Sequence, residues 1–232
     1  MFTVINLFGN HKENILKLLE SKNFLSEDGT IIDVKEKHYE TYVTLDFVDD
    51  KTEEFNQVKQ TIESEFNKYI YGYDNQNLYT CAFSLLKEKK LKLALAESVT
   101  AGRLSSEFVG NNDGASTVLI EGIVCYSIQS KCARFNIDES FFEKNSPQSI
   151  ETSKALVTSL FKQSNAEVCI AVTGYASNIA SDDNGEAFIA IALDRGIYTQ
   201  RVKFEGTRNH IMQQIAKYSF MFLIKLIQAF EK

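Results

Sequence analysis

The chain has 232 residues, 44% of them apolar, enough for one large domain or two small ones around a sizeable buried core. No run approaches the roughly 18 apolar residues of a membrane span, and Met1-Phe2-Thr3-Val4-Ile5-Asn6 has no basic stretch ahead of an apolar one, so neither a span nor a signal peptide is expected and the cytoplasm is the expected location. The formal charge of −6 falls within residues 1–72, where 8 Lys and Arg face 14 Asp and Glu; residues 73–232 carry 17 of each. An acidic first part is a poor grip for a phosphate backbone, so nucleic acid is not an expected partner.

Residues 2–8 read as a strand. Glu13 to Ser21 reads as a helix with Ile15, Leu18 and Leu19 on one face. Ser26-Glu27-Asp28-Gly29 has turn chemistry. Ile31 to Val34 and Thr41 to Val48 alternate as the two strands of a hairpin, with Thr41, Val43, Leu45 and Phe47 on one side. Asp49-Asp50-Lys51-Thr52 opens a helix whose apolar stripe is Phe55, Val58, Ile62 and Phe66. This βαββα unit is complete by about residue 70. The polar break Tyr71-Gly72-Tyr73-Asp74-Asn75 sets an expected boundary between domains 1–72 and 73–232.

The second part opens with a helix from Leu78 to Lys89 and a strand over 91–96. A helix follows from about Gly102 to Phe108, a strand from Val118 to Tyr126, and a short helix from Ser130 to Phe135. Ser149 to Phe161 is a helix just after Pro147, the only proline. Val168 to Val172 is a buried strand leading into Thr173-Gly174. Ala187 to Leu193 and Ile197 to Phe204 form a hairpin around Asp194-Arg195-Gly196, and Arg208 to Phe230 closes the chain as a long helix. Helices alternating with strands, plus one hairpin, predict a three-layer α/β/α sandwich with a mixed sheet.

The chemistry concentrates between residues 96 and 131. Ala96-Glu97-Ser98-Val99-Thr100-Ala101-Gly102 follows an apolar strand, and Gly114-Ala115-Ser116, Tyr126 and Lys131 come next. A strand that ends in hydroxyl and small residues before a helix is where open α/β sheets gather ligands. Free amides at the helix start favour an anion there, so a phosphorylated small molecule is expected. Cys81, Cys125, Cys132 and Cys169 form no C-x-x-C pair, and three of them sit in apolar runs, the pattern of reduced core thiols. His11, His38 and His210 are scattered without metal-ligand spacing. Neither a metal nor a cofactor is expected.

Residues 76–232 resemble the C-terminal domain of the CinA family, the nicotinamide-nucleotide amidohydrolases. The resemblance rests on Ala96 to Gly102 against the family's A-E-S-C-T-G-G, then Gly114-Ala115-Ser116, Gly122, Tyr126 and Lys131 in order. Val172-Thr173-Gly174-Tyr175-Ala176-Ser177-Asn178 stands for V-T-G-x-A-G-P, and Gly206-Thr207-Arg208 for G-x-R. Residues 1–75 resemble, more faintly, the KH-like middle domain of full-length members. They lack the G-x-x-G loop that clamps nucleic acid, having Gly9-Asn10-His11-Lys12 instead. No stretch resembles the family's large pyrophosphatase domain, so that activity is not expected here.

The resemblance implies hydrolysis of nicotinamide mononucleotide to nicotinate mononucleotide and ammonia. In it Ser116 is the nucleophile, Lys131 the base and Tyr126 a proton relay or oxyanion donor. Ser98, Thr100, Ala101 and Gly102 hold the substrate, Thr173 and Gly174 form a second wall, and Arg208 pairs with the phosphate. Two positions depart from the family pattern. Ala101 replaces the first Gly of T-G-G, and Ala176-Ser177-Asn178 replaces A-G-P, leaving Gly185 as the remnant of a glycine-rich stretch. Added side chains there could block the substrate, and the alternative is an inactive, nucleotide-binding or scaffold protein.

Ser116 and Tyr126 are ten residues apart, roughly 33 Å along a straight strand. Either the strand bends near Gly122 or just after Ser116, or the two residues come from different chains. Antiparallel pairing about a two-fold axis near Glu121 would set Ser116 opposite Tyr126 of another copy. Val118 to Cys125 is apolar on both faces and the final helix carries excess apolar surface, so a homodimer through the C-terminal domain is expected.

Overall fold

The computed structural model describes residues 1–25, 30–177 and 184–230. The chain divides into two compact units, Met1–Cys81 and Ala82–Lys232. The expected turn at 26–29 lies outside the described residues.

The first unit runs β1 (Phe2–Phe8), α1 (Lys12–Ser21), β2 (Thr30–Lys37), β3 (Glu40–Phe47), α2 (Thr52–Phe66) and β4 (Ile70–Tyr73). The sheet order is β2-β3-β1-β4 and every pairing is antiparallel. The stripe Phe55, Val58, Ile62 and Phe66 packs onto Ile5, Leu7, Val43 and Leu45, as the periodicity requires. The expected polar break is instead the fourth strand. Ile70 and Tyr71 are buried, and Ile5 pairs with Tyr73 and Asn6 with Gly72. Asp74 then ties back to β1 through the Thr3 hydroxyl and the Val4 amide, and Asn6 donates to the carbonyls of Asp74 and Gln76. These bonds carry the first unit past Gly72 to Gln76, and the division between the units, after Cys81, falls in the first turn of the next helix. The resulting βαββαβ order is the split βαβ, ferredoxin-like arrangement.

The second unit runs α3 (Leu78–Glu88), β5 (Leu93–Glu97), α4 (Arg103–Gly110), β6 (Leu119–Val124), α5 (Ile128–Phe135), α6 (Phe141–Lys144), α7 (Ile150–Gln163), β7 (Val168–Gly174), β8 (Glu186–Leu193), β9 (Gly196–Lys203) and α8 (Arg208–Ala229). The five-stranded sheet is ordered β6-β5-β7-β8-β9. β6, β5 and β7 are parallel, while β8 and β9 are antiparallel to their neighbours, so the sheet is mixed. Ala94, Ala96, Ala171, Ala190 and Ala192 present small side chains to Leu156, Val157 and Leu160 of α7 and Phe135 of α5. Alternation sends Leu93, Leu95, Ile170, Val172, Ile189 and Ile191 to the opposite face. There Phe108 of α4 stacks on Phe220 of α8 at 5.3 Å and meets Phe83 of α3 edge-on. The fold is an α/β sandwich with helices on both faces. No helix among the described residues is long and apolar enough to cross a membrane.

β6 departs from its expected double burial. Its residues alternate between half-buried and exposed, because it is the outermost strand and β5 is its only neighbour among the described residues. Ile120 and Val124 are 46% and 47% exposed.

Candidate active site at the carboxyl ends of β5, β6 and β7

β5 ends at Glu97 and runs into the tight turn that starts α4. Glu97 is fully buried, and its carboxylate has a structural task. It accepts the amide hydrogens of Leu104 at 3.0 Å and Ser105 at 2.9 Å, and the hydroxyls of Ser105 at 2.7 Å and Thr100 at 2.8 Å. The amides of Ala101 and Arg103 donate to the carbonyls of Ser98 and Thr100. The start of α4 therefore already holds an anion, and it belongs to the protein. The amides of Leu104 and Ser105 are thereby taken by Glu97. Thr100 is buried and gives its hydroxyl to Glu97, so it builds the turn. Ala101 and Gly102 adopt left-handed φ values of 52° and 93°. Gly102 suits that geometry, whereas the Cβ of Ala101 is strained in it.

Lys131 is the chemical centre of this edge. Ser127 caps α5 by accepting the Ser130 amide, and Lys131 then points inward with 1% exposure. Its Nζ lies 3.0 Å from Ser98 Oγ, 3.0 Å from the carbonyl oxygen of Cys125 and 3.3 Å from that of Tyr126. No carboxylate among the described residues pairs with it, and loss of water around the charged form holds its pKa below the usual lysine value. A buried amine of this kind, touching a serine hydroxyl, can take a proton from an attacking group.

Tyr126 turns outward, 61% exposed, and its hydroxyl accepts a hydrogen bond from Arg208 Nη2 at 3.0 Å. Arg208 Nη1 donates to Ser177 Oγ at 2.7 Å. α8 starts there, capped by the Thr207 hydroxyl. The relay expected of Tyr126 toward Lys131 is not built through its phenol: Lys131 touches the Tyr126 carbonyl, while the phenol meets Arg208. The Tyr126–Arg208 pair forms a polar rim over the site.

Ser116 lies elsewhere in the subunit. It sits in a short 3-10 turn, Ala115–Thr117, ahead of β6, whereas Tyr126 and Lys131 follow β6. Leu119 pairs with Leu93 at the start of β5, and Val124 with Glu97 at its end. β6 spans roughly 16 Å between them with a bulge at Ile120, since Leu93 pairs with Leu119 but Ala94 with Glu121, so Ser116 and Lys131 lie beyond opposite ends of the strand. The ladder is continuous from Glu121 to Val124, so its break lies at Ile120 and not at Gly122. A Cβ at Gly122 would lie 2.1 Å from Ser105 Oγ, so this glycine serves the close approach of α4. Ser116 is exposed, and its hydroxyl has no partner among the described residues.

Thr173 and Gly174 are also structural. Thr173 is fully buried and donates its hydroxyl to the carbonyl of Pro147 at 2.8 Å. A Cβ at Gly174 would lie 2.2 Å from the carbonyl oxygen of Glu186, so β8 requires the glycine. Gly185, at φ +81°, answers a third close approach: its Cβ would lie 1.8 Å from the carbonyl oxygen of Phe204. Asn178 lies outside the described residues. Among the described residues no group of three or more His, Cys, Asp and Glu is placed to hold a metal ion. Cys125 and Cys169 are buried thiols, each pushed by burial up to about 11.

Residues 75–227 match the sequence profile of the CinA C-terminal domain. A putative competence-damage inducible protein of Bacillus mycoides is 28% identical over 208 residues, covering 88% of this chain and 48% of the relative. A Bacillus cereus protein of the same description is 30% identical over 174 residues, covering 74% and 42%. The chain thus spans about half the length of the curated relatives it matches. Among solved structures, a CinA superfamily protein of Escherichia coli aligns with a TM-score of 0.60 and 23% identity, covering 64% of this chain and 88% of the other. The competence damage-inducible protein A of Klebsiella pneumoniae aligns with a TM-score of 0.61 and 19% identity, covering 66% and 98%. These likenesses establish a shared fold for the second unit.

Proposed function

The chain belongs to the CinA C-terminal domain family, and from that premise we propose that it hydrolyses the amide of a phosphorylated pyridine nucleotide, nicotinamide mononucleotide, to the carboxylate and ammonia. The observation that carries this reading is the buried Lys131 amine, 3.0 Å from the Ser98 hydroxyl at the carboxyl ends of the parallel strands. A serine oxygen attacks the amide carbon and its proton passes to Lys131 Nζ. The carbon–nitrogen bond breaks, and the nitrogen leaves as ammonia with that proton. Water then adds to the ester carbon, a proton returns to the serine oxygen, and the carboxylic acid is released. Arg208 supplies a forked cation for the phosphate beside the Tyr126 hydroxyl.

Ammonia release from nicotinamide mononucleotide by the purified protein, with chelator present, tests the reading. Release abolished by Lys131→Ala supports it. No release from the wild-type chain at high enzyme concentration, with the nucleotide nevertheless raising its melting temperature, would instead assign a binding protein.

A further inference from the structure

We propose that the first unit carries a binding site for a free aliphatic α-amino acid, in the cleft that Asn10 lines between α1 and the end of α2. The site lies wholly within that unit and does not depend on the amidohydrolase reading.

The cleft measures about 340 Å³, at the small end of the roughly 300–1,000 Å³ that small-molecule sites occupy. α1 lends it Asn14, Lys17 and Leu18, whose spacing puts them on one helical face. The last turn of α2 and the 3-10 turn Asn67–Tyr69 lend Glu65, Phe66, Lys68 and Tyr69.

Asn10 points to a ligand. It sits just ahead of α1 and is 4% exposed. Its backbone carbonyl accepts the Thr41 hydroxyl at 2.6 Å, and its Oδ1 accepts Asn14 Nδ2 at 3.0 Å. Those bonds hold the side chain and fix which end is the NH2 group. Nδ2 itself is buried and has no acceptor among the described residues. Buried amide donors are nearly always satisfied, so this one calls for an acceptor that the chain does not supply.

The neighbouring charges define that acceptor. Lys17, Lys68 and Glu65 line the same cleft, and none of the three forms an ion pair among the described residues. Lys68 Nζ instead stands over the Tyr69 ring, 4.8 Å from its centroid. Two cations and an amide donor suit one carboxylate. The single acid, Glu65, suits an ammonium group. Phe66 is buried and Leu18 half-buried, so the remaining wall is apolar. A plain anion would be repelled by Glu65 and by a unit whose residues 1–72 carry a balance of −6, and a plain amine by the two lysines. A zwitterion has no net charge and answers both signs. One carboxylate, one ammonium and one apolar group on a body of this size describe an aliphatic amino acid.

Titration calorimetry on the whole chain tests the site, with L-valine, L-leucine and L-isoleucine as probes. Isocaproate and isoamylamine, which are leucine without its ammonium and without its carboxylate, are the controls. At least one amino acid is expected to bind, and each control to bind about tenfold or more weakly than leucine, the cost of one lost bond to a charged group. No binding of any of the three at millimolar concentration overturns the site. A control that binds as well as leucine overturns the zwitterion assignment.

Variants fix the place. Lys17→Met and Lys68→Met alter exposed side chains and are each expected to weaken amino-acid binding about 3- to 10-fold. Glu65→Gln is expected to weaken leucine and to leave isocaproate unchanged or improved. Asn10→Asp keeps the shape, sets a carboxylate against that of the ligand, and is expected to abolish binding. If Asn10→Asp does not fold, the lysine variants decide, and full affinity in both overturns the placement.

Discussion

Glu97 holds Ser105 twice, through its backbone amide at 2.9 Å and its hydroxyl at 2.7 Å. The residue that ends the strand therefore fixes the helix that follows, and the same carboxylate also takes Leu104 and Thr100. Ser98 lies one residue on, so the placement of the serine that Lys131 touches depends on this cap.

Glu97→Gln keeps the shape but turns an NH2 group toward donors. Buried donors left without an acceptor cost about 1–3 kcal/mol each, and bonds to a charged group are the stronger ones. The variant is expected to lose about 2–4 kcal/mol of stability in urea denaturation. A loss under ~0.5 kcal/mol would mean that the turn holds without its carboxylate.

Lys131 carries a pH dependence whose sign is fixed by burial. Its folded pKa lies below the unfolded value of about 10.5 because the charged form is desolvated. Between the two values the unfolded chain binds a proton that the folded chain does not, so stability rises with pH across that window. Lys131→Met is expected to remove this rise, seen as the difference between wild-type and variant unfolding free energies against pH. Turnover needs the neutral amine, so kcat should climb with pH through a pKa below that of a free lysine. A rate that falls over the same range would exclude Lys131 as the base.

Ala101 stands at φ 52°, where a Cβ costs about 1–2 kcal/mol. Ala101→Gly is therefore expected to stabilise the chain by about 1 kcal/mol, reduced by the added freedom of the unfolded glycine. Thermal unfolding measures it, and a lowered melting temperature would contradict the strain.

Much of this architecture is legible in the sequence. The stripe on α2 and the alternation of β3 follow from periodicity, and Pro147 and the Asp194-Arg195 turn mark breaks that the structure keeps. β4 escapes because a four-residue Ile-Tyr-Gly-Tyr strand followed by Asp-Asn reads as a turn; only its pairing with β1 makes it a strand. In the site, Lys131 and Arg208 are recognisable by type. The tasks of Thr100, Thr173 and Gly174 are not, because each depends on a partner distant in the chain or on a turn whose shape is tertiary. Glu97 had one local signal: an acid at a strand end, seven residues before the amide it caps, where helix starts favour negative charge. The separation of Ser116 from Lys131 was visible as arithmetic along the strand, and the serine that meets Lys131 within the chain is Ser98, at 3.0 Å.

Ser177 offers the last test. It stands where the family pattern has glycine, and its hydroxyl holds Arg208 Nη1 at 2.7 Å. The Tyr126 hydroxyl holds the other nitrogen, so both arms of the fork are engaged before any substrate arrives. A phosphate must displace one of these bonds to be gripped bidentately, and a hydrogen bond of this kind contributes about 0.5–1.5 kcal/mol net. Ser177→Gly frees that arm. The variant is expected to lower KM for a phosphorylated substrate by about 2- to 10-fold with kcat little changed, the signature of altered ground-state binding. The comparison with nicotinamide riboside, which lacks the phosphate, supplies the control. If Ser177→Gly improves both substrates equally, or neither, Arg208 does not hold the phosphate.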